Sequence, residues 1–138
     1  MQRKGFVVAG MCMVLLVSGC SQGSAGVGLL DEPPISAQAL PADLYGSDVE
    51  PDSARFVAEY EGMSYFLAQP AEPGMAHGVC LVALETESIA CGGPSSDATQ
   101  LVTLDVAGTE ARVVRDGTDT TGLADEGWAR IHENLLVR

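Results

Sequence analysis

The chain has 138 residues, seven lysines and arginines against nineteen aspartates and glutamates, and a formal net charge of −12. A surface of that sign repels phosphate backbones, so no nucleic-acid partner is expected. It also disfavours lying flat on anionic lipid headgroups.

The first nineteen residues follow the order of an export signal. Basic Arg3 and Lys4 precede an apolar run from Phe6 to Val17, which ends in small Ser18 and Gly19. The run is about a dozen residues, against roughly 20 needed to span a bilayer as a helix. Leu16-Val17-Ser18-Gly19-Cys20 resembles the lipobox of bacterial lipoproteins. That resemblance implies a lipid on the Cys20 thiol, cleavage just before Cys20, and aliphatic recognition of Val17 with Ser18 and Gly19 threading the peptidase groove. The product would be held at the outer face of the cytoplasmic membrane by a diacylglyceryl group. Its two acyl chains, at about 0.8 kcal/mol per buried methylene, reach the usual threshold for stable anchoring. The competing reading is cleavage by the general signal peptidase, which leaves Cys20 free or in a disulfide.

Removal of residues 1–19 takes away both Arg3 and Lys4. The remainder holds five arginines, no lysine and all nineteen carboxylates, a net charge of −14. Arginine in place of lysine, with abundant Ala, Gly and Val, is the usage of a GC-rich genome. Together with the lipobox it resembles an actinobacterial lipoprotein.

From Ser21 to Ser53 the sequence is rich in Gly, Ser, Pro and acids, with Pro33, Pro34, Pro41 and Pro51 breaking any periodicity. Residues 20–53 are therefore expected to form a lipid-anchored flexible tether, spanning roughly 30 Å as a coil. Within it, Leu40 to Tyr45 is an apolar patch that could dock on the domain, although a plain spacer is the preferred reading.

Residues 54–138 change to short apolar runs with turn signals between them. Ala54–Tyr60 and Met63–Ala68 flank Glu61-Gly62, a two-residue hairpin turn. Phe56, Tyr60, Met63 and Leu67 also fit one face of a helix, so residues 55–68 stand as either hairpin or helix. Val79–Leu84 and Ser88–Cys91 flank a polar turn at Glu85–Glu87. Leu101–Val106 places Val102, Leu104 and Val106 on one side, and Gly108-Thr109 leads into Glu110–Arg115. After the loop Asp116–Glu126, Trp128–Val137 closes the chain, with Asp125-Glu126 a helix start in the competing reading. The fold class expected is mainly β, a small antiparallel meander closed as a sandwich or a partial barrel.

Cys12 leaves with the signal and Cys20 takes the lipid, so Cys80 and Cys91 remain as a pair in an oxidising compartment. They lie on consecutive expected strands and form a disulfide worth roughly 3 kcal/mol to a small domain. A reactive thiol is the rival, but the spacing is not Cys-x-x-Cys and Val79, Leu81 and Val82 would bury Cys80. Gly78-Val79-Cys80-Leu81-Val82, Ala90-Cys91-Gly92, Arg115-Asp116-Gly117 and Gly127-Trp128 through Glu133-Asn134-Leu135 resemble small actinobacterial secreted domains. These share an aromatic hairpin, one disulfide and a closing strand after an Asp-Gly turn.

Catalytic signals are sparse. His77 and His132 are the only histidines, and neither has a flanking nucleophile motif, so both read as surface residues. Asp116-Gly117-Thr118-Asp119-Thr120-Thr121-Gly122 is the one metal candidate, a weak calcium loop through Asp116 and Asp119 without EF-hand spacing. Tyr45, Tyr60, Tyr65 and Trp128 read as core before binding surface. No catalytic residue and no cofactor is assigned. The expected function is a cell-envelope lipoprotein acting as a non-catalytic binding module, with an envelope protein as partner; the alternative is a small cell-wall hydrolase using carboxylates or His132.

Overall fold

In the computed structural model, residues 26–35, 38–41, 48–75, 77–92 and 99–138 are described. Residues 1–19 of the expected export signal, Cys20 and residues 42–45 of the apolar patch lie outside them. Two antiparallel four-stranded sheets form a sandwich. The first runs in the order β1 (Arg55–Tyr60), β2 (Met63–Ala68), β3 (Val79–Ala83), β4 (Ser88–Gly92). The second contains β5 (Gln100–Val106), β6 (Thr109–Val114), β7 (Ala129–His132) and β8 (Leu135–Val137), ordered β5-β6-β8-β7.

Local turn chemistry decides the hairpins. Glu61 and Gly62 have φ of 50° and 80°, and Ala107 and Gly108 have 52° and 84°. Two successive positive φ values match the right-handed twist of the flanking strands, and a glycine at the second position keeps the strain low. Gly62 therefore settles residues 55–68 as a hairpin, with Tyr60 paired to Met63 and Phe56 to Phe66. A helix there would need to carry a glycine and several β-branched or aromatic residues through its middle.

Alternation then sorts the side chains. Tyr65, Leu67, Leu81 and Ala83 of the first sheet meet Val106, Ala111, Val113, Leu135 and Val137 of the second in one buried cluster. The opposite face of the first sheet, with Phe66, Ala68, Cys80 and Val82, is also buried. β3 is covered on both sides, which explains why its five residues are all apolar. Phe56 and Phe66 meet edge-to-face on that outer side, their centroids 5.6 Å apart. Between the layers Gly92 approaches the Leu101 carbonyl so closely that a Cβ would collide with it.

The expected fold class, mainly β and antiparallel, is present, and three details differ from expectation. Trp128–Val137 is not one strand but a hairpin, β7 and β8 joined at Glu133-Asn134. The second sheet is also not a simple meander, because β8 inserts between β6 and β7. Burial gives the reason: Leu135, Leu136 and Val137 are all buried and need a central place, whereas β7 is largely solvated and takes the edge. Asp125 and Glu126 end a 3-10 turn, Thr121–Glu126, which is closed by Gly127 in the left-handed region.

The third concerns the described residues of the span 20–53, namely 26–35, 38–41 and 48–53. Val27 and Leu30 are buried in the main core. Leu40 and Val49 are buried on the outer face of the first sheet, against Phe66, Cys80 and Val82. Residues 48–50 form a short antiparallel ladder with 69–71: Glu50 N–H donates to the Gln69 carbonyl at 2.9 Å, and Ala71 N–H to the Asp48 carbonyl at 3.0 Å. Arg55 ties the approach to β1, donating from Nε to the Glu32 carbonyl at 2.7 Å and from a terminal nitrogen to the Asp52 carbonyl at 2.9 Å. The described part of this span is a strap on the sandwich. An apolar sheet face left open to water would be costly, and Leu40 and Val49 cover it, while Val27 and Leu30 fill the main core.

Candidate functional site

The expected disulfide is present. Cys80 and Cys91 are bonded and sit opposite each other on β3 and β4, their Cα atoms 4.0 Å apart. Cys80 is fully buried and Cys91 exposed. A close approach of this kind marks a non-hydrogen-bonded pair, so the N–H and C=O groups of Cys91 and, two residues back, Ile89 point away from β3. They lie along an edge of the first sheet that pairs with no other described strand, with β5 packed against its Gly92 end.

The four edges differ. β1 carries a register shift between Phe56 and Ala58, β5 between Gln100 and Val102, and β7 between Arg130 and His132. β4 pairs with β3 without interruption from Ser88 to Gly92. Bulges twist an edge away from further pairing, so β4 is the one regular edge among the described strands. Beside it lies a cleft of about 280 Å³ lined by Asp48, Pro70, Glu72, Met75, Ile89 and Cys91.

A second cleft, about 300 Å³, lies where the strap crosses the end of the second sheet. Gly28, Leu29, Glu32, Asp116, His132, Glu133 and Asn134 line it. Asp116 organises this corner. Its Oδ2 accepts from the Gly28 N–H at 2.7 Å, its Oδ1 from Asn134 Nδ2 at 2.7 Å, and its own N–H donates to the Gly26 carbonyl at 2.9 Å. Asn134 is buried and also donates to the Val114 carbonyl at 3.1 Å. Its backbone N–H donates to His132 Nδ1 at 3.1 Å, which leaves the proton of a neutral imidazole on Nε2.

The weak calcium reading gains nothing from this geometry. Both oxygens of Asp116 serve the strap and Asn134, while Asp119 Oδ1 accepts from the Thr121 N–H at 3.0 Å and its hydroxyl at 2.7 Å. Those bonds, the amide's first, hold the Asp119 carboxyl below its ordinary range. Among the described residues no group of three or more His, Cys, Asp or Glu side chains is placed to hold a metal ion. His77 is exposed, and neither histidine bonds a serine, threonine or carboxylate side chain among the described residues.

Aromatic residues divide as core before surface. Tyr65 is buried, and that burial, reinforced by the charge of Glu61, pushes its phenol upward. Trp128 packs with Val114 and Leu136 on the outer face of the second sheet. The Arg112 and Arg138 guanidinium carbons lie 4.1 and 4.6 Å from the centre of its ring system, and Glu110 pairs with both arginines. The indole Nε1 is buried with no partner among the described residues.

Asn134 and Glu32 were not visible as site residues in the sequence. Glu133-Asn134 between two apolar runs is a turn signal, and it marks the position without revealing that the amide reaches Asp116. No protein-family profile, curated protein or solved structure matches the chain. No helix among the described residues is long and apolar enough to cross a membrane.

Proposed function

We propose that the chain is a lipid-anchored protein of the cell envelope whose β-sandwich is a non-catalytic binding module at the outer face of the cytoplasmic membrane. Cys20 carries the diacylglyceryl group. The module accepts an extended segment of an envelope protein along β4, extending the first sheet by one strand. The observation that carries this reading is the uninterrupted β4 edge, in a molecule whose other three edges are bulged. Asp48 and Glu72 in the adjoining cleft favour a basic side chain on the incoming segment. The hydrolase alternative finds no observation of its own, since His132 Nδ1 is taken by a backbone amide.

Two measurements test the reading. Cys20→Ser is expected to move the protein from the membrane fraction to the soluble fraction; full membrane retention would overturn the anchor. A photo-crosslinking residue at Ile89 is expected to capture a discrete envelope protein that the same residue at Asp105, on bulged β5, does not. Equal capture from both positions would remove β4 as the docking edge.

A further inference from the structure

The strap changes how far the sandwich can stand from its anchor. If residues 20–53 were a free tether, the first fixed point would be at Ser53. The structure fixes the chain much earlier. Gly26 offers its carbonyl to the Asp116 N–H, Val27 is 1% exposed in the main core, and the Gly28 N–H donates to Asp116 Oδ2. Only six Cα-to-Cα steps separate Cys20 from Gly26. Whatever path they take, covalent geometry limits them to roughly 20 Å.

The strap meets the sandwich at one end. Asp116 follows β6, and the Glu133-Asn134 turn joins β7 to β8 there. The start of β1 is at the same end, through the bond from Arg55 to the Glu32 carbonyl. The Glu61-Gly62 turn is therefore at the opposite end, and the Thr86 turn with it, since Glu85 bonds Ser64 at the start of β2. Six-residue strands separate the two ends by roughly 20 Å.

We infer that the sandwich is held close against the bilayer, with the Asp116 and Glu133-Asn134 end facing the lipid headgroups and the Glu61-Gly62 and Thr86 turns facing outward. The inference rests on the lipid-anchor reading of Cys20. The partner of this end is the polar headgroup layer. Glu32 and Glu133 are exposed there, and their repulsion from anionic lipid means that the short linkage, not adhesion, holds this end near the headgroups.

The test uses the mature acylated protein in vesicles of phosphatidylcholine and phosphatidylglycerol that carry a headgroup-linked nitroxide. A fluorophore is attached through Glu133→Cys in one variant and Thr86→Cys in another, with acylation checked by intact mass. The expected result is at least twofold stronger quenching at position 133 than at position 86. Addition of Leu30→Ala and Asp116→Ala together releases the strap and is expected to bring the two positions to similar quenching, with near-native circular dichroism verifying that the sandwich survives. Equal quenching at 133 and 86 in the acylated parent overturns the inference and leaves the anchor standing. Undiminished quenching at 133 after release, with the sandwich folded, overturns the strap as its cause. A mature chain without acyl mass overturns the anchor reading, and the inference with it.

Discussion

Leu30→Ala discriminates most sharply between a spacer and a strap. Leu30 is 4% exposed and packs in the main core cluster. Removing its side-chain methyls loses the transfer term and leaves a cavity, with typical costs of about 2–5 kcal/mol. The 3-10 turn Gly28–Asp31 lies outside both sheets and can settle inward, so the lower part of that range, about 2–3 kcal/mol, is expected. For a packed unit of this size that corresponds to a fall of roughly 10–20 °C in Tm. The assay is urea unfolding of the mature chain carrying Cys20→Ser, with its disulfide intact and the denaturant slope compared between variants. Ile35→Ala is the internal control, because Ile35 is 64% exposed, and a change within about 0.5 kcal/mol is expected. A Leu30→Ala midpoint indistinguishable from that of Ile35→Ala would refute the packing argument for the strap.

Further predictions follow from particular contacts. Reduction of Cys80–Cys91, separated by 11 positions, is expected to lower stability by about 3 kcal/mol; an unchanged unfolding midpoint in reductant would remove it as a staple. Burial raises the Glu85 carboxyl, but the hydroxyl and amide of Ser64 outweigh that and hold it lowered. Its contribution is therefore present above the unfolded value and lost as pH falls through the folded one. The stability difference between the parent and Glu85→Gln should be constant near neutrality, begin to fall as pH drops through the ordinary carboxylate range, and be lost below the lowered folded value. The pair is exposed, so the difference should be no more than about 1 kcal/mol, and a difference that grows on acidification would contradict the assignment. Gly92→Ala drives a methyl into the Leu101 carbonyl and to 2.9 Å from Val102 Cγ2. A loss of about 1–3 kcal/mol is expected, whereas Gly74→Ala, with open space around the new Cβ, should be near neutral in the same melt.

How much of this was legible in the chain depended on the range of the interaction. Hairpins are set by neighbours in sequence, and Glu61-Gly62, Glu85–Glu87 and the Gly108 turn announced three of them. Cys80 and Cys91 could be paired because a short turn joins their strands, and β3 pairs with β4 in register. The insertion of β8 beside β6 was not legible. It follows from burial on both faces, and Leu135-Leu136-Val137 reads equally well as the end of a longer strand. The polar corner was hidden for a related reason, since Asp116 and Asn134 are 18 residues apart and belong to different turns. A single Asp-Gly turn suggested an ion loop, and only the folded chain reveals that its first carboxylate is already engaged.

The strap was misread through composition, and the physical reason bears on function. Prolines and glycines exclude regular structure, but they do not exclude burial. Val27, Leu30 and Leu40 sit in short apolar clusters and Val49 by itself, separated by polar residues and prolines and too short to form a periodic pattern, and each is buried in the folded protein. A domain this small has few residues to cover the outer face of its first sheet, so the segment leading to the proposed lipid anchor does that work. Anchor and core are thereby joined through Gly26–Asp31, and loosening the strap would both weaken the sandwich and lengthen its reach from the membrane. In that arrangement the Gly92 end of the β4 edge lies toward the bilayer and its Ser88 end away from it, within reach of a partner at the membrane surface.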